Sequence, residues 1–228
     1  MFITPFGPLI YKTTLSEEFQ QFLKEGAART KEANKNIHHD QAGNLEDALA
    51  ADFEDPEQFM TYFYPYAKEC IEGHLHRFDV VHDKPTWNST TSPSVEGVNF
   101  HLGSSGPWIN FYRNHEFNPI HQHSGDLSVV ICIDIPLEIE EERQRYFKKT
   151  NMPCRGQLEF VEGTTGYMLP GSFKVIPKTG DMYIFPATLK HCVYPYSSEV
   201  ERVTMSFNLF DIQVPPTEYP ELDYIKND

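Results

Sequence analysis

Several common sequence features are absent from this chain, and each absence excludes a class of protein. No run of 18 apolar residues occurs, so no transmembrane helix is predicted. The stretch 1–10 has no basic region ahead of an apolar one, so we expect no secretory signal there. Its prolines and aromatic residues predict an extended edge strand or arm instead. The four cysteines contain no CxxC pair, and without an export signal we expect reduced thiols in a cytoplasmic protein.

Basic residues are also scarce, with 19 lysines and arginines against 33 acidic residues and a formal net charge of −14. An acidic surface argues against strong non-specific binding to nucleic acid or to an anionic membrane, although a local basic groove remains compatible with it. Hydrophobic residues make up 39% and aromatic residues 14% of the 228 positions. That composition suffices for the core of one domain of ordinary size, with disorder expected only at the ends.

Helical periodicity is confined to the first 80 residues and to one later run. Ser16 and Asp55-Pro56 are helix-start signals, and apolar residues recur at helical spacing after each of them. The run Leu137–Phe147 is a further amphipathic insertion. His38, His39 and Asp40 lie in a polar stretch that we interpret as a charged loop rather than a metal site.

From about residue 80 the sequence changes to short strands separated by glycine turns. The predicted fold class is mainly β with N-terminal helices, as a sandwich or jelly roll. We expect a single domain over 1–228, with a helical support at 1–80, a β core at 100–212 and a surface tail at 213–228. Loop 83–106 is rich in turn formers and long enough to be a lid. The predicted strands are Trp108–Tyr112, Leu127–Ile135, Gln157–Val161, Phe173–Ile176, Met182–Phe185 and Val203–Leu209.

Two histidines precede one of the apolar strands. His121 and His123 are two residues apart, so on an extended strand both side chains point to the same face, and the carboxylate of Asp126 is close in sequence. Two imidazoles on one face with a nearby acid are most of a metal site. A third ligand then has to come from elsewhere in the chain.

The second half of the chain offers such a ligand. The Gly180-Asp181 turn starts an apolar strand that ends at Phe185-Pro186, and a short loop is predicted to present His191. We expect Cys192 to be a small strand residue rather than a ligand, Asp181 to shape its turn, and Trp108 to lie in the core. Further on, Arg202, Thr204 and Ser206 alternate with apolar residues and therefore share one strand face. A buried arginine with two hydroxyls beside it suits a ligand that carries a carboxylate.

These residues appear in an order that resembles the iron(II)/2-oxoglutarate-dependent oxygenases, over roughly Trp108 to Leu209. Asn110 and Tyr112, eleven and nine residues before His121, resemble an oxoglutarate-contacting strand of the nucleic-acid demethylase branch. The phrases Trp-Ile-Asn, His-x-His, Gly-Asp-Met-Tyr-Ile-Phe-Pro and Glu-Arg-Val-Thr-Met-Ser-Phe-Asn look closer to the prolyl-hydroxylase-like oxygenases of bacteria and tailed phages.

The resemblance implies a double-stranded β-helix that uses iron(II), 2-oxoglutarate and dioxygen, with ascorbate as a possible supporting reductant. His121 and His191 would be iron ligands, and no catalytic residue is expected beyond the metal ligands. Arg202 would bind the far carboxylate of oxoglutarate with help from Thr204 or Ser206, and Asn110 and Tyr112 would make further contacts. The implied reaction is hydroxylation of a peptidyl (prolyl-type) or small-molecule substrate, with release of succinate and CO2. A phage-encoded chain would work in the host cytoplasm.

The chain departs from the family pattern at one position. Related sequences carry His-x-Asp or His-x-Glu, whereas this chain has His123 in place of the acid. Spacing favours His123 as the third ligand, because a residue two along a strand returns to the same side. Charge favours Asp126, because an anionic ligand stabilises oxidised iron better than a neutral one. Both alternatives stay open at the level of sequence.

Two other function classes fit the pattern. One is a cupin-type metalloenzyme that uses three histidines without oxoglutarate, for which Arg202 has no evident use. The other is a non-enzymatic jelly-roll module with structural histidines. A nucleic-acid base is a poorer substrate candidate, because the acidic chain has no basic stripe. No membrane partner is expected, and the sequence gives no indication of oligomeric state.

Overall fold

The computed structural model describes residues 2–3, 7–37, 42–82, 98–104, 106–163 and 171–213. The helices there are α1 (Glu17–Ala33), α2 (Pro56–His82) and α3 (Leu137–Phe147). The strands are β1 (Phe2–Ile3), β2 (Ile10–Thr14), β3 (Asp47–Ala50), β4 (Asn99–Leu102), β5 (Trp108–Tyr112), β6 (Asn118–His121), β7 (Leu127–Asp134), β8 (Leu158–Val161), β9 (Ser172–Val175), β10 (Asp181–Pro186), β11 (Lys190–Val193) and β12 (Arg202–Gln213). The predicted charged loop at His38, His39 and Asp40, the stretch 83–97 of the predicted lid, and the tail from 214 onward lie outside the described residues.

Both N-terminal helices begin at the predicted capping residues. The Ser16 hydroxyl accepts a hydrogen bond from the Phe19 N–H at 3.3 Å, and the Asp55 carboxylate accepts from the N–H groups of Glu57 and Gln58, both at 3.0 Å. These side chains satisfy N–H groups that have no partner within the helix. Within the described ranges, no helix is both long and apolar enough to span a membrane.

The strands form two antiparallel sheets. The larger has eight strands in the order β1-β2-β10-β7-β12-β5-β3, with β4 paired to the far end of β12. The smaller has the order β6-β11-β8-β9. The predicted N-terminal edge strand is confirmed, because β1 and β2 form one edge of the larger sheet. The prediction of a mainly β fold with N-terminal helices is confirmed as well.

Alternation along β5, β7 and β12 separates the core from a cavity. On one face, apolar side chains pack against the helices, for example Phe207, whose ring meets Phe59 and Phe63 edge-on at centroid distances of 5.5 and 4.8 Å. On the other face, the side chains point between the two sheets. Because successive side chains of a strand point to opposite faces, each of these strands contributes side chains both to the core and to the cavity.

Two local predictions were wrong. His191 lies within strand β11 rather than on a loop, and it pairs in register with His121 of β6. Strand β3 lies in a stretch that was expected to be only polar, and its register with β5 extends the larger sheet by one strand.

Candidate metal centre and its cavity

One cavity between the two sheets contains every site residue predicted from the sequence. Its empty volume is about 540 Å³, open mouth included. The larger sheet contributes the floor through adjacent strands, where Arg202 is in register with Tyr112, Thr204 with Asn110, and Ser206 with Trp108. The predicted residues that line the cavity are Asn110, Tyr112, His121, His123, His191, Arg202, Thr204 and Ser206.

Three histidines meet at the mouth of this cavity. One ring nitrogen from each of His121, His123 and His191 lies within 4.8 Å of the others. The ring centroids are separated by 4.3 Å between His121 and His191, 4.9 Å between His121 and His123, and 5.1 Å between His123 and His191. The pairing of β6 with β11 brings the distant His191 to the local pair. Three imidazoles at these separations can hold one divalent cation with positions left open.

Backbone carbonyls fix the orientation of two of the three rings. Nδ1 of His121 lies 2.7 Å from the Pro119 carbonyl oxygen, and Nδ1 of His191 lies 3.0 Å from that of Leu189. A carbonyl only accepts, so each Nδ1 carries the proton and donates it. The lone pair is then on Nε2, which is the usual arrangement for a metal-binding histidine.

Burial keeps all three histidines neutral near pH 7. It lowers the pKa of His191 to about 3, with the neighbouring His121 adding to the effect. Burial and the same neighbour lower the pKa of His123 to about 4, and burial also lowers the pKa of His121. Neutral imidazole is the form that binds a metal, so the cluster needs no deprotonation before binding.

Asp126, the alternative third ligand, is engaged elsewhere. Its carboxylate Oδ2 accepts a hydrogen bond from the Ile212 N–H at 2.9 Å, and its backbone bonds to Leu209 and Ala187. It is not among the cavity-lining residues. This geometry favours His123 as the third ligand.

Arg202 lies deep in the cavity, and no acidic partner reaches it among the described residues. The residue is 1% exposed. Its Nη1 donates to the Gly156 carbonyl at 3.2 Å, while Nε and Nη2 are buried and have no hydrogen-bond partner in the part of the chain that the structure describes. Burial lowers its pKa from the ordinary value, yet guanidinium stays protonated under all usual conditions. A buried cation with two free donors calls for an anion in the cavity.

Further polar groups surround the arginine. The side chain of Asn118 donates to the Tyr112 hydroxyl at 3.0 Å, and burial raises the pKa of Tyr112 to about 12. The Tyr112 hydroxyl is therefore neutral and can donate its own proton into the cavity. The side-chain oxygens of Asn110 and Asn118 are both buried, and neither has a hydrogen-bond partner within the described ranges. Buried polar atoms without hydrogen-bond partners, grouped in one cavity, indicate a binding site for a polar ligand that would supply those hydrogen bonds.

The comparisons with known proteins agree with this geometry. Residues 106–208 match the family described as "Putative 2OG-Fe(II) oxygenase". The cofactors of that family are iron(II) and 2-oxoglutarate, and the cavity fits both, with a cluster of neutral nitrogen ligands at its mouth and an unpaired buried cation at its base.

Three solved structures have a fold similar to that of this chain. A prolyl-4-hydroxylase from Pseudomonas putida has a TM-score of 0.51 at 14% identity, covering 87% of this chain and 91% of the other. The epimerase SnoN from nogalamycin biosynthesis has 0.51 at 14% identity, covering 89% and 76%. A prolyl hydroxylase from Trichoplax adhaerens, in complex with a peptide fragment, has 0.50 at 12% identity, covering 89% and 83%. The predicted double-stranded β-helix is thereby confirmed. No curated protein matches the sequence.

Sequence reasoning missed two residues of the site. Asn118 lines the cavity beside Tyr112, although it was noted only as the start of the histidine stretch. Tyr196 is fully buried, and its hydroxyl contacts the backbone of both Tyr112 and Arg202. Trp108, expected only in the core, also lines the cavity, with its ring 6.0 Å from that of His123. Asp181 does shape its turn as expected, accepting from the Lys178 N–H at 3.1 Å.

Proposed function

We propose that the chain binds iron(II) through His121, His123 and His191 and binds 2-oxoglutarate in the cavity beneath them. The observation that carries the proposal is Arg202, a buried cation whose two free guanidinium nitrogens share a cavity with the histidine cluster. A dicarboxylate fits between the two, with its distal carboxylate on the guanidinium fork. When bound, iron(II) and 2-oxoglutarate supply the oxidation of a substrate C–H bond by dioxygen, with release of succinate and CO2.

The residues of the chain bind and orient the reactants. Thr204 and Ser206 offer hydroxyl groups on the strand face that holds Arg202, and the side-chain oxygen of Asn110 is free to accept. The Tyr112 hydroxyl is free to donate, because Asn118 already donates to it. Val130 and Leu158 give the cavity apolar walls that exclude water, which strengthens each polar contact inside.

A larger groove on the outer side of the histidines suits the primary substrate. It shares Trp108, His121 and His123 with the inner cavity and has an empty volume of about 1290 Å³, open space included. We propose hydroxylation of a peptidyl (prolyl-type) or small-molecule substrate there. One structure of similar fold is a prolyl hydroxylase in complex with a peptide fragment, and another is an epimerase from nogalamycin biosynthesis, which supports keeping both substrate kinds in the proposal.

The cellular setting and the domain division are part of the same proposal. Four free thiols, at Cys70, Cys132, Cys154 and Cys192, support a cytoplasmic location. We keep 1–80 as helical support, 100–212 as the catalytic core and 213–228 as a tail of one domain. The niche in bacteria and tailed phages also stays a prediction.

The test is succinate formation from 2-oxoglutarate with iron(II), ascorbate and air, which needs no primary substrate when turnover is uncoupled. Wild type should release succinate and consume dioxygen. His191→Ala should not, because the cluster loses a ligand. His115→Asn is the control, since His115 is exposed, lies outside the cavity and has a φ of 67° that Asn tolerates. A wild-type protein that binds iron but forms no succinate would favour the cupin-type alternative, although Arg202 would then have no assigned ligand.

A further inference from the structure

Helix α3 lies outside the cavity but buries a carboxylate. Its residues follow β7 directly, and none of them lines the cavity. Ile139, Glu142 and Arg143 are buried, while the apolar Leu137 and Phe147 at its two ends are exposed. Glu142 is 3% exposed. Burying a carboxylate is unfavourable unless it is fully hydrogen-bonded, so its partners explain its position.

Two partners of Glu142, Ser197 and Ser198, belong to the segment that follows β11. Its carboxylate accepts from the N–H groups of Ser197 at 2.9 Å and Ser198 at 2.7 Å, and from the Ser198 hydroxyl at 2.6 Å. Nη1 of Arg155 adds an ion pair at 2.8 Å. One side chain of α3 thereby fixes two consecutive backbone groups of the 197–198 segment.

That segment positions Tyr196, which contacts Arg202. The Tyr196 hydroxyl donates to the Tyr112 carbonyl at 2.5 Å and accepts from the Arg202 N–H at 3.2 Å. The guanidinium carbon of Arg202 lies 5.5 Å from the Tyr196 ring centroid and 4.1 Å from that of Tyr112. The rings of Tyr112 and Tyr196, together with the hydrogen bond from the Arg202 N–H to the Tyr196 hydroxyl, set the direction in which the guanidinium points.

Helix α3 reaches Arg202 by a second route. Ile139 fills the space beside Gly156, where an added Cβ would lie 2.3 Å from the Ile139 Cγ2. The Gly156 carbonyl accepts a hydrogen bond from Nη1 of Arg202 at 3.2 Å, the one bond that the arginine side chain makes to the described residues. Ile139, Tyr112 and Tyr196 also form one buried apolar cluster.

We infer that helix α3 holds Arg202, the arginine that we propose binds 2-oxoglutarate, in its orientation. Glu142 is the positioning residue for Arg202, and it acts through Ser197, Ser198 and Tyr196. The inference rests on the proposed function. Because Nε and Nη2 of Arg202 donate to no acceptor among the described residues, their direction depends on the contacts that hold the rest of the side chain. Loosening the 197–198 segment therefore weakens the anion site while the histidine cluster, held by β6 and β11, keeps its geometry.

The test compares Glu142→Gln with Glu140→Gln. An amide at position 142 turns one acceptor into a donor that faces Ser and Arg donors. Glu140 lies on the same helix, and its side chain bonds only to Arg143 and Gln144 of that helix among the described residues. Calorimetric titration of 2-oxoglutarate into the iron(II) protein under nitrogen should give a Kd about ten-fold higher for Glu142→Gln. Glu140→Gln should stay within about two-fold of wild type.

Two further readouts separate positioning from general damage. The Kd for iron(II) should be unchanged in Glu142→Gln, and uncoupled succinate formation should show a raised KM for 2-oxoglutarate with kcat retained. If Glu142→Gln does not fold, Ser198→Ala removes one donor to the carboxylate and should shift the same Kd in the same direction. A wild-type Kd for 2-oxoglutarate in the folded variant, or equal losses of iron and oxoglutarate affinity, would overturn the inference. An iron-loaded wild type that binds no 2-oxoglutarate would overturn the proposed function along with it.

Discussion

The guanidinium carbon of Arg202 lies 4.1 Å from the centroid of the Tyr112 ring, and the two residues are register partners on β12 and β5. The arginine is thus held by a neighbouring aromatic face rather than by an acid. A carboxylate partner would neutralise the guanidinium and occupy its fork. An aromatic face stabilises the charge and leaves Nε and Nη2 free for a ligand.

This relationship predicts that Arg202 contributes little to the free energy of unfolding of the apoprotein. Arg202→Met removes a buried cation and two unpaired donors, and it loses one hydrogen bond and the contacts of the guanidinium with two aromatic rings. These effects oppose each other, so the free energy of unfolding of the apoprotein should stay within about 1 kcal/mol of wild type or rise. Affinity for 2-oxoglutarate should fall by more than about 30-fold. Urea denaturation and calorimetry measure the two effects. The control is Arg143→Met, which also removes a buried arginine but breaks its bonds to Glu140 and should lower stability. Strong destabilisation by Arg202→Met alone would contradict this account.

The all-nitrogen cluster predicts the preference of the site among metals. Imidazole ligands favour iron, nickel and zinc, whereas carboxylates favour harder ions such as manganese. His123→Asp should therefore raise the affinity for Mn(II) relative to Ni(II) by about ten-fold or more. Equilibrium dialysis with each ion measures the ratio. His115→Asp is the control, since His115 is exposed and already has the positive φ of 67° that Asp tolerates. An unchanged ratio in His123→Asp would mean that this position does not bind the metal.

Glu142 should make the stability of the fold depend on pH. Burial opposes ionisation of its carboxyl, but hydrogen bonds from Ser198 and Ser197 and the charge of Arg155 outweigh it and hold the pKa below the ordinary value of 4.5. A lowered folded-state pKa means that the stabilisation is complete above pH 4.5 and is lost as the pH falls through the folded-state value. Glu142→Gln should cost about 2 kcal/mol at pH 7 and progressively less below pH 4.5. Urea titrations of wild type and Glu142→Gln at pH 7 and below pH 4.5 measure this. A stability difference between the two proteins that does not change with pH would refute the prediction.

Gly156 should tolerate no side chain. Its φ of +67° strains any L residue, and a Cβ would lie 2.3 Å from Ile139 Cγ2. Gly163 has a φ of +88°, and no atom of the described residues lies within 4 Å of a Cβ built there, so among those residues it isolates the backbone cost. Gly163→Ala should cost about 1 kcal/mol, and Gly156→Ala about 2 kcal/mol more from the close contact. Thermal unfolding compares them, and equal losses would show that Ile139 moves aside freely.

Local patterns predicted most of the larger sheet and the helix starts. The capping signals at Ser16 and Asp55 and the apolar alternation around Arg202 depend only on near neighbours in sequence, and each was found where expected. Strands β3 and β6 were missed for local reasons. β3 is Asp-Ala-Leu-Ala, with weak strand propensity, and β6 carries Pro119, which a strand tolerates at the edge where β6 lies.

The remainder of the site depends on contacts between distant residues. His191 could be recognised as a candidate ligand, but its position opposite His121 is a matter of strand register, which the sequence around either residue does not specify. Tyr196 was missed because an isolated tyrosine before a polar loop resembles any core residue. Its contacts with Tyr112 and Arg202 exist only once β5 and β12 pair.

The central claim is that the histidine cluster and Arg202 form one binding site. The most direct test is the thermodynamic linkage between metal and 2-oxoglutarate, measured by anaerobic calorimetric titration of 2-oxoglutarate with and without one equivalent of iron(II). If both ligands share the cavity, 2-oxoglutarate should bind at one equivalent per chain and at least about ten-fold more tightly when iron is present. The predicted coupling disappears in His191→Ala. An affinity for 2-oxoglutarate that is the same with and without iron would contradict the claim.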